Sequence, residues 1–583
     1  MGHAGEQSDG ALRLVRGLLG RAQPAPGAAG DPHREGTLSL RIRVEPLAGS
    51  RLVADLLAGR PEALGFYPGH PHDPSAYGRK LEEVRGRFDR AARERAAAAL
   101  RPTSPGAEAR LRRFVDEGGA VVTTGQQAGL FTGPLYTVHK ILTAIRLAEA
   151  LERELGGVVL PVFWVASEDH DFAEVNHAYA VTEAGELRRC AVSATADVPV
   201  PMSEMRLGDD VDGALVDFVQ SVSVEGDNTN HLRSILADYR PGTTLAEAFL
   251  RTILRLFSGF DLCVTDAADP AVKRGSARVL LAEAERAAEH ERLVAERSER
   301  LAAAGYPPPV TVMEGASNLF YHGPAGRERL YRDGEALAAR ESRRRLSLDD
   351  LRGLLADEPR ALSPNVLLRP VAESAVFPTL AYVGGPAETA YFAQIQPLFE
   401  SLGIRPPLAF PRFSATIVPA EVERAQAEAG IEPDELALPE HELWERVARR
   451  HLPAGVVGAV LEVRGALAEG FGRVADVSRG IDPNLEPAVG ARRDRALLEA
   501  ARMERTIVRH FKQRHPELQR AVWLARNHLR PLGLPQERVL TVFQYLAREP
   551  RLLHLLAEAM EVGLRSAAAD ARTEVPAPAG TGT

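Results

Sequence analysis

The sequence predicts an α/β protein with a Rossmann-like, mostly parallel sheet, and two neighbouring strands carry that prediction. The first is AVVTTG at 120–125, which runs into the loop GQQAGLFTGP and then into the helical segment LYTVHKILTAIRLAEAL. The second is VVLPVFWVA at 158–166, which is apolar nearly throughout, as expected for a strand covered on both faces. Because parallel sheets bind ligands beyond the carboxyl ends of their strands, the loop and the following SEDHD segment mark a candidate site.

Further segments continue this alternation of strands and helices. Strands are predicted at 37–47, within FDLCVTDAAD at 260–269, within 306–323 and at 407–416. A helical stretch is predicted at 81–100, between a turn-rich segment and the first site strand. Together these elements predict a catalytic core with inserted connecting segments over 36–420.

After this core, the sequence pattern becomes mainly that of long helices. Apolar residues recur at three- and four-residue spacing from Val456 to Val477, which predicts a long amphipathic helix. A turn at 479–487 and a second helical stretch at 488–515 complete an antiparallel hairpin. We therefore expect a coiled-coil region over 421–530, which docks on a second copy or on the core, and C-terminal helices packing on the core over 531–565. Residues 1–35 and 566–583 are predicted to be a disordered extension and tail.

Composition narrows the class of protein. The chain has 583 residues and a formal net charge of -8, which argues against a nucleic-acid or membrane-surface role. No apolar run approaches the roughly 20 residues that span a bilayer, and the first residues lack the pattern of a secretory signal. The two cysteines, Cys190 and Cys263, cannot form a disulfide framework and fit a reducing compartment. We expect a cytoplasmic protein.

The loop after the first strand is the first candidate site segment. Its glycines allow tight turns and close approach to a ligand, and Pro134 is suited to the first position of a helix whose amides would favour an anion. The candidate residues are Thr124, Gly125, Gln126, Gln127, Gly133, His139 and Lys140. The loop is neither a P-loop nor a GxGxxG motif. The alternative is a tight crossover in which the glutamines satisfy backbone groups and His139 is a structural histidine.

The second candidate segment is the acidic cluster after the second strand. Glu168, Asp169, His170 and Asp171 are adjacent, and repulsion among the carboxylates is expected to raise some of their pKa values. Such groups suit proton transfer or amine binding. Two alternatives are a divalent metal held by His170, His177 and a carboxylate, and a solvated acidic loop. No HExxH motif is present, and no metal is predicted.

The third group of candidates lies between 314 and 412. Asn365 and Arg369 flank a short segment predicted to be extended, and an arginine there suits a carboxylate or phosphate. Gly384 and Gly385 are predicted to end a strand before a helix that Pro386 opens. The other candidate cleft residues are Glu388, Tyr391, Arg412, Ser317 and Asn318. Glycines are common where strands end, so much of this pattern can be explained without a ligand. Arg412 is alternatively a surface charge.

In this order, four of these segments resemble the bacillithiol biosynthesis cysteine-adding enzyme family, BshC. They are TGQQAGLFTGPLYTVHK, PVFWVASEDHDFAEVNH, LSPNVLLRP and FPTLAYVGGPAETAYFAQIQPLFE. The resemblance runs from about Leu38 to near Met560. It implies a Rossmann-like core with connecting insertions and a homodimer formed through the coiled coil. It also implies ligation of the carboxyl of L-cysteine to the amino group of glucosaminyl-malate.

The resemblance also gives expected roles to individual residues. ATP or another nucleotide would activate the cysteine carboxyl, and His139, Lys140 and the loop amides would stabilise phosphate charge. Asp169 or Asp171 would bind an ammonium group, and His170 or Glu168 would take the proton from the attacking amine. Arg369 would hold the malate carboxylates. PLYTVHK is only loosely similar to the histidine signature of the class I synthetases, and no KMSKS-like loop is present.

The sequence alone leaves open two functions other than a ligase. The SEDHD cluster would also suit a metal-dependent hydrolase acting on an amide or a phosphoester. A non-enzymatic alternative is a coiled-coil scaffold that retains a degenerate core. Metal analysis tests the first alternative, and deletion of roughly 455–525 tests the second.

Overall fold

A computed structural model of the chain describes residues 40–47, 49–223 and 228–564. The predicted disordered extension at 1–35 and tail at 566–583 lie outside these residues. Contacts divide the chain into two compact units, of which the first comprises residues up to 179, 189–415 and 541 onward. The second comprises 180–188 and 416–540.

Fifteen strands occur in the described part of the chain. They are β1 (Leu40–Val44), β2 (Arg101–Pro102), β3 (Ala120–Gln126), β4 (Val159–Val165), β5 (His177–Val181), β6 (Leu187–Ala191), β7 (Cys263–Asp266), β8 (Ala316–Gly323), β9 (Gly326–Asp333), β10 (Ala336–Ala339), β11 (Arg345–Leu346), β12 (Leu362–Pro364), β13 (Thr379–Gly384), β14 (Leu408–Pro411) and β15 (Ala415–Pro419).

The α-helices of the described residues lie mainly between these strands and after them. They are α1 (Arg51–Leu57), α2 (Pro61–Leu64), α3 (Pro74–Arg87), α4 (Arg90–Ala97), α5 (Pro105–Asp116), α6 (Tyr136–Leu155), α7 (Phe172–Val175), α8 (Asp210–Val222), α9 (Asn228–Ile235), α10 (Leu245–Leu256), α11 (Pro270–Ala303), α12 (Leu348–Asp357), α13 (Arg369–Val376), α14 (Pro386–Ser401), α15 (Ala420–Ala429), α16 (Glu440–Arg450), α17 (Ala454–Ser478), α18 (Leu485–Arg514), α19 (Pro516–Leu529), α20 (Phe543–Leu546) and α21 (Leu552–Glu558).

The first unit is built on a six-stranded sheet with the order β14-β13-β3-β4-β7-β2. The first five strands of this order are parallel, and only the edge strand β2 is antiparallel. All seven residues of β4 are buried, which confirms the prediction of a strand covered on both faces. The predicted α/β class with a Rossmann-like parallel sheet is correct.

The order of strands places the candidate site at a topological switch point. From β3 the chain crosses through α6 to β4 on one side, whereas β13 comes from a later part of the sequence and pairs with the other side of β3. Ligand crevices in open parallel sheets form where neighbouring connections diverge in this way. The carboxyl ends of β3, β4 and β13 therefore form one edge.

A second, antiparallel sheet is inserted between β7 and β13. Its order is β11-β10-β9-β8-β12, and it packs against the long helix α11 through apolar side chains such as Leu319, Leu330 and Val279. The strand predicted within 306–323 is present as β8, and it contains two of the candidate cleft residues. Ser317 and Asn318 are inside β8, because the alternating segment 316–323 pairs with both β9 and β12.

Three helix boundaries differ from the sequence predictions. The stretch 81–100 forms two helices, since Phe88 is buried and the Asp89 side chain caps α4 by accepting from the Ala92 amide at 2.7 Å. Helix α6 begins at Tyr136 and not at Pro134, because a left-handed turn precedes it. The C-terminal segment predicted to be helical over 531–565 contains two short 3-10 turns and the short helices α20 and α21, which Pro550 separates.

The second unit contains the predicted helical hairpin. Helices α17 and α18 are joined by a short turn, and Arg479 pairs with Glu486 at 3.2 Å beside that turn. Farther along, Arg464 lies 3.7 Å from Glu504, so the two helices run antiparallel. The predicted antiparallel hairpin is therefore correct. Within the described residues, no helix combines the length and apolar character that crossing a bilayer requires.

Candidate active site

The polar ends of β3 and β4 meet at one edge of the sheet. The Gln127 side chain donates from Nε2 to Asp169 Oδ2 at 2.6 Å and to Glu174 Oε2 at 3.2 Å. The Ala166 amide donates to the Gln126 carbonyl at 2.9 Å. The structure therefore brings together the glutamine loop and the acidic cluster that sequence analysis identified separately.

The loop after β3 has an unusual backbone that a distant tyrosine supports. Phe131, Thr132 and Gly133 have φ angles of 49°, 68° and 65°, a left-handed conformation that costs free energy in residues other than glycine. The Tyr239 hydroxyl donates to the Gly129 carbonyl at 3.1 Å and accepts from the Thr132 amide at 3.2 Å. Tyr239 therefore holds the loop in its strained form.

Several backbone amides of this loop donate hydrogen bonds to other groups of the protein. The Gly129 amide donates to Gln127 O at 3.0 Å, and the Gly133 amide donates to Leu130 O at 3.0 Å. Gly129 has no room for a side chain, since a Cβ there would lie 2.9 Å from the Gly133 Cα. The loop thus packs against itself, and the amides of Gly129, Thr132 and Gly133 already donate hydrogen bonds within the protein.

Lys140 lies under this loop and connects β3 to β13. Its ammonium donates to the Gly125 carbonyl at 2.9 Å and to Gln126 Oε1 at 3.0 Å, and it forms an ion pair with Glu388. Tyr382 donates to Glu388 at 2.5 Å. Burial alone would raise the pKa of Glu388, but the Lys140 charge and these hydrogen bonds hold it below its usual value. Lys140 is 3% exposed, so it stabilises the strand ends from within.

Glycine and carboxylate positions near β13 agree with the sequence prediction. Gly384 ends β13, and Gly385 precedes α14, where its amide donates to Glu388 Oε2 at 2.8 Å. Thr124 donates from Oγ1 to the Val383 carbonyl at 2.7 Å, which ties β3 to β13. The Arg412 amide donates to Gly384 O at 2.9 Å. These contacts join the ends of β3 and β13.

Arg369 is placed differently from the prediction. The segment before it is a turn, and Arg369 is the first residue of α13. Its guanidinium pairs with Glu373 at 2.7 Å and lies 5.0 Å from the centre of the Tyr382 ring. Tyr391 is also in contact with it, and burial raises the pKa of Tyr391 to about 12. The positive charge of Arg369 is therefore already neutralised by a carboxylate of the protein.

His139 is a buried side chain. It is 0% exposed, and its ring lies 5.8 Å from the ring of Phe413 in an edge-on arrangement. The alternative interpretation of His139 as a structural histidine is the one that this packing supports.

The acidic cluster is held in place by groups that sequence analysis did not connect with it. Glu168 forms an ion pair with Lys273 on α11, and Ser167 donates to Asp266 at the end of β7. Asp169 Oδ1 accepts from the His170 amide at 2.7 Å. The side chain of Asp169 remains 34% exposed and so is accessible to a ligand. Among the acidic residues of the cluster, Asp169 is thus both oriented and open.

Arg327 fixes the protonation form of His170. Its Nη1 lies 2.9 Å from His170 Nδ1. A guanidinium can only donate, so Nδ1 is the acceptor and the proton of the neutral ring is on Nε2. Burial, assisted by the Arg327 charge, lowers the pKa of His170. His170 therefore presents an N–H donor from Nε2, and its free lone pair is already used.

The two asparagines predicted to line the cleft belong to a buried network. Asn365 Nδ2 donates to Asn318 Oδ1 at 2.8 Å, and Asn318 Nδ2 donates to Glu283 at 3.1 Å. Asn365 Oδ1 also accepts from the amides of Leu367 and Leu368, both at 3.0 Å. This network caps the start of α13. Ser317 donates to Leu330 O at 2.9 Å inside the antiparallel sheet, so it does not lie at the strand ends.

Two cations at the site, Lys273 and Arg327, were not predicted. A partial signal existed for Lys273, because lysine is rare in this chain and Lys273 follows the end of β7. No local signal marks Arg327 among the many arginines. In the described residues, no group of three or more histidine, cysteine, aspartate or glutamate side chains is arranged to hold a metal ion.

Comparison with known proteins gives matches over nearly the whole chain. Residues 39–413 match the family model described as "Bacillithiol biosynthesis BshC, N-terminal Rossmann-like domain", and 415–563 match "Bacillithiol biosynthesis BshC, C-terminal coiled-coil domain". A relative from Geobacillus thermodenitrificans, named "Putative cysteine ligase BshC", is 32% identical over 87% of this chain and 95% of its own. A relative of the same name from Koribacter versatilis is 32% identical over 86% and 93%.

Proposed function

The chain belongs to the BshC family of bacillithiol biosynthesis, and from that premise we propose that it is a cysteine ligase. In the proposed reaction, the carboxyl of L-cysteine is joined to the amino group of glucosaminyl-malate. The observation that carries the proposal is the contact between Gln127 and Asp169, which makes the ends of β3 and β4 one accessible polar edge. This edge adjoins the switch point between β3 and β13, where parallel sheets bind ligands.

Asp169 is the residue proposed to bind an amine. Hydrogen bonds from Gln127 and from the His170 amide hold both carboxylate oxygens in fixed directions. A fixed carboxylate can orient an ammonium group and accept its proton as the amine attacks. Asp171 is more exposed and has no such support from the loop, so it is the weaker choice for this role.

The roles expected for His170 and Glu168 as the base are revised. His170 Nδ1 accepts from Arg327, and Glu168 is paired with Lys273. Proton removal at either residue would first require loss of a contact with a cation. We assign His170 instead as a donor from Nε2, which suits the oxygen that becomes negative when the amine adds to the carboxyl carbon.

Activation of the carboxyl by ATP or another nucleotide is part of the proposal. Amide formation from a free carboxylate and an amine is unfavourable in water, so the reaction needs an energy source. The groups first expected to hold phosphate do not fit that task as they stand. His139 is packed on Phe413, Lys140 is neutralised by Glu388, and the amides of Gly129 and Gly133 are used in the loop. No residue is therefore assigned to the nucleotide.

The metal-dependent hydrolase is less well supported than the ligase. Its proposed ligands would include His170 and a carboxylate of the acidic cluster. The Nδ1 atom of His170 is in contact with Arg327, and Glu168 is in contact with Lys273. Cations therefore already occupy the positions from which His170 Nδ1 and Glu168 would bind a metal.

We further propose that the protein is a cytoplasmic homodimer whose copies meet through the helical hairpin. Apolar side chains on the hairpin are widely exposed, including Leu461 at 60% and Val477 at 75%. A helix seam of this kind is normally buried against another helix.

Purified protein incubated with cysteine, glucosaminyl-malate and ATP tests the proposed function. The reaction is followed by mass analysis of the thiol product and by nucleotide turnover. We expect product formation that depends on both substrates, and release of ADP or AMP in proportion to it. Product without nucleotide turnover would contradict the activation step alone. Absence of product from folded protein would contradict the ligase.

A further inference from the structure

Arg327 is positioned by the hairpin that joins β8 to β9. It lies directly opposite His322 in the antiparallel register, so both side chains are on the same face of the hairpin. The Arg327 amide donates to the Pro199 carbonyl at 2.8 Å. At the adjacent position, a Cβ on Gly326 would lie 2.4 Å from that same carbonyl oxygen. The turn between β8 and β9 is therefore fixed next to the acidic cluster.

The charge of Arg327 is buried and lacks a carboxylate partner within the described residues. The residue is 9% exposed, and its hydrogen bonds go to Ser363 Oγ at 3.0 Å, Pro364 O at 3.2 Å and His170 Nδ1 at 2.9 Å. All three acceptors are uncharged. A buried charge is costly unless an opposite charge or several strong hydrogen bonds compensate it. The face of Phe320, 3.8 Å away, supplies only part of that compensation.

The other cations of the site differ from Arg327 in this respect. Lys140 pairs with Glu388, Lys273 pairs with Glu168, and Arg369 pairs with Glu373. Each of these charges is neutralised within the protein. Arg327, in contrast, forms no ion pair among the residues that the structure describes, although the carboxylates of Glu168 and Asp169 are near enough to act on its charge.

Two N–H groups of Arg327 are not used by the hydrogen bonds described above. A guanidinium has five N–H groups, and the three bonds described above use one each on Nε, Nη1 and Nη2. One N–H is left on each terminal nitrogen. Such a pair of N–H groups matches the two oxygens of a carboxylate.

His322 supplies a second unused group beside Arg327. Its Nε2 atom is buried and has no hydrogen-bond partner among the described residues. Burial, with the charges of Arg327 and Lys273, lowers the pKa of His322 to about 3, so the ring is neutral. A neutral imidazole next to a bound anion can donate one further hydrogen bond.

We propose that Arg327, together with His322, binds a carboxylate of the malate part of the amine substrate. This inference rests on the proposed ligase function and replaces the role first expected of Arg369. A carboxylate held here would lie beside His170, whose side chain is 30% exposed. The amino group of the same substrate would then extend towards Asp169 at the adjoining strand end.

Direct binding of L-malate tests the inference without any need for catalysis. Wild-type protein, Arg327→Lys and His322→Asn are titrated with L-malate by calorimetry. Arg332→Gln is the control, because Arg332 lies on the same strand but pairs with Glu291 at 2.6 Å. We expect about tenfold weaker binding in Arg327→Lys, a smaller loss in His322→Asn, and no change in the control. Equal affinity in all four proteins, or no binding by wild type, would overturn the inference.

Kinetics separates this inference from the proposed function. In the ligase assay, Arg327→Lys is expected to raise the KM for glucosaminyl-malate about tenfold while the KM for cysteine stays the same. The preference for glucosaminyl-malate over methyl glucosaminide, which lacks both carboxylates, should fall by the same factor. Ligation with an unchanged preference would contradict the role of Arg327 and leave the ligase intact. L-malate binding that depends on Arg327, without ligation by wild type, would support the site and contradict the proposed function.

Discussion

Lys140 on α6 and Glu388 on α14 form an ion pair at the ends of two adjacent parallel strands, β3 and β13. The pair links two segments that are far apart in the chain. The Lys140 ammonium also holds Gln126, so it determines where the loop begins. The contact gives Lys140 a structural role at these strand ends.

Removal of the Lys140 charge is expected to destabilise the protein. Lys140→Met would leave the Glu388 carboxylate without its partner, at a cost of about 3–5 kcal/mol in the free energy of unfolding. Lys140→Met combined with Glu388→Gln should recover part of that loss, which urea unfolding measures. Lys512→Met is the control, since its pair with Glu445 is more exposed and should contribute less than about 1 kcal/mol. Equal losses in the two single variants would contradict a structural role for Lys140.

The contact between Gln127 and Asp169 is expected to matter for rate more than for stability. Gln127→Glu would place a second carboxylate against Asp169 and Glu174, and repulsion would displace the Asp169 side chain. A displacement of about 1 Å can reduce kcat by as much as ~100-fold, whereas the melting temperature should change little. The ligase assay and thermal unfolding measure the two effects. Gln513→Glu on the exposed face of α18 is the matched control and should keep full activity.

Tyr239 is expected to preserve the left-handed loop. Tyr239→Phe removes the hydroxyl that contacts Gly129 and Thr132, and the strained turn would then open more often. We expect a loss of about 1–3 kcal/mol and faster hydrogen exchange at the loop amides. Tyr306→Phe, which removes a hydroxyl bonded to Asp55 at 2.9 Å, should leave exchange at the loop unchanged. Unaltered exchange in Tyr239→Phe would show that other contacts hold the turn.

Acid is expected to destabilise the protein partly through His528. Burial lowers the pKa of His528 from the ordinary value of 6.5 to about 3. Between these values the unfolded chain binds more protons than the folded one, so stability present above pH 6.5 is lost as the pH falls. The loss should approach about 1.4 kcal/mol per pH unit for this residue. His528→Gln should flatten the dependence of unfolding free energy on pH between 6.5 and 5, whereas His441→Gln, at an exposed position, should not.

The proposed dimer predicts a specific response of the hairpin. Charge at exposed apolar positions should prevent the copies from associating, because a buried unpaired carboxylate is costly. Val474→Glu combined with Val477→Glu, at side chains 52% and 75% exposed, should convert a dimer to a monomer in sedimentation experiments. Arg473→Glu, at an exposed polar position, is the control. A monomeric wild-type protein would contradict the proposal.

Sequence analysis identified the parts of the site that have a local pattern. The strands ending at Gln126 and Val165, the acidic cluster and the glycines after β13 follow from runs of apolar residues that end in polar ones. Parallel strands then bring these ends to one edge, so their proximity was predictable. The helical hairpin was predictable for the same reason, since its apolar spacing is regular over many turns.

The remaining parts depend on contacts that no local pattern encodes. Arg327 reaches His170 because an antiparallel sheet is inserted between two core strands, and neither its pairing nor its position follows from nearby residues. Arg369 was predicted as a free cation because Glu373, one helical turn later, was not recognised as its partner. Ser317 and Asn318 were predicted to line the cleft because the register of β8 with β9 and β12 could not be read from one segment.

A labelled-product experiment tests the central claim most directly. Cysteine labelled with 13C at the carboxyl carbon and glucosaminyl-malate labelled with 15N at the amino group are supplied with ATP to wild-type protein and to Asp169→Asn. The account predicts one thiol product that carries both labels joined in an amide, formed by wild type and reduced at least about tenfold in the variant. Folded wild-type protein that forms no doubly labelled amide would contradict it.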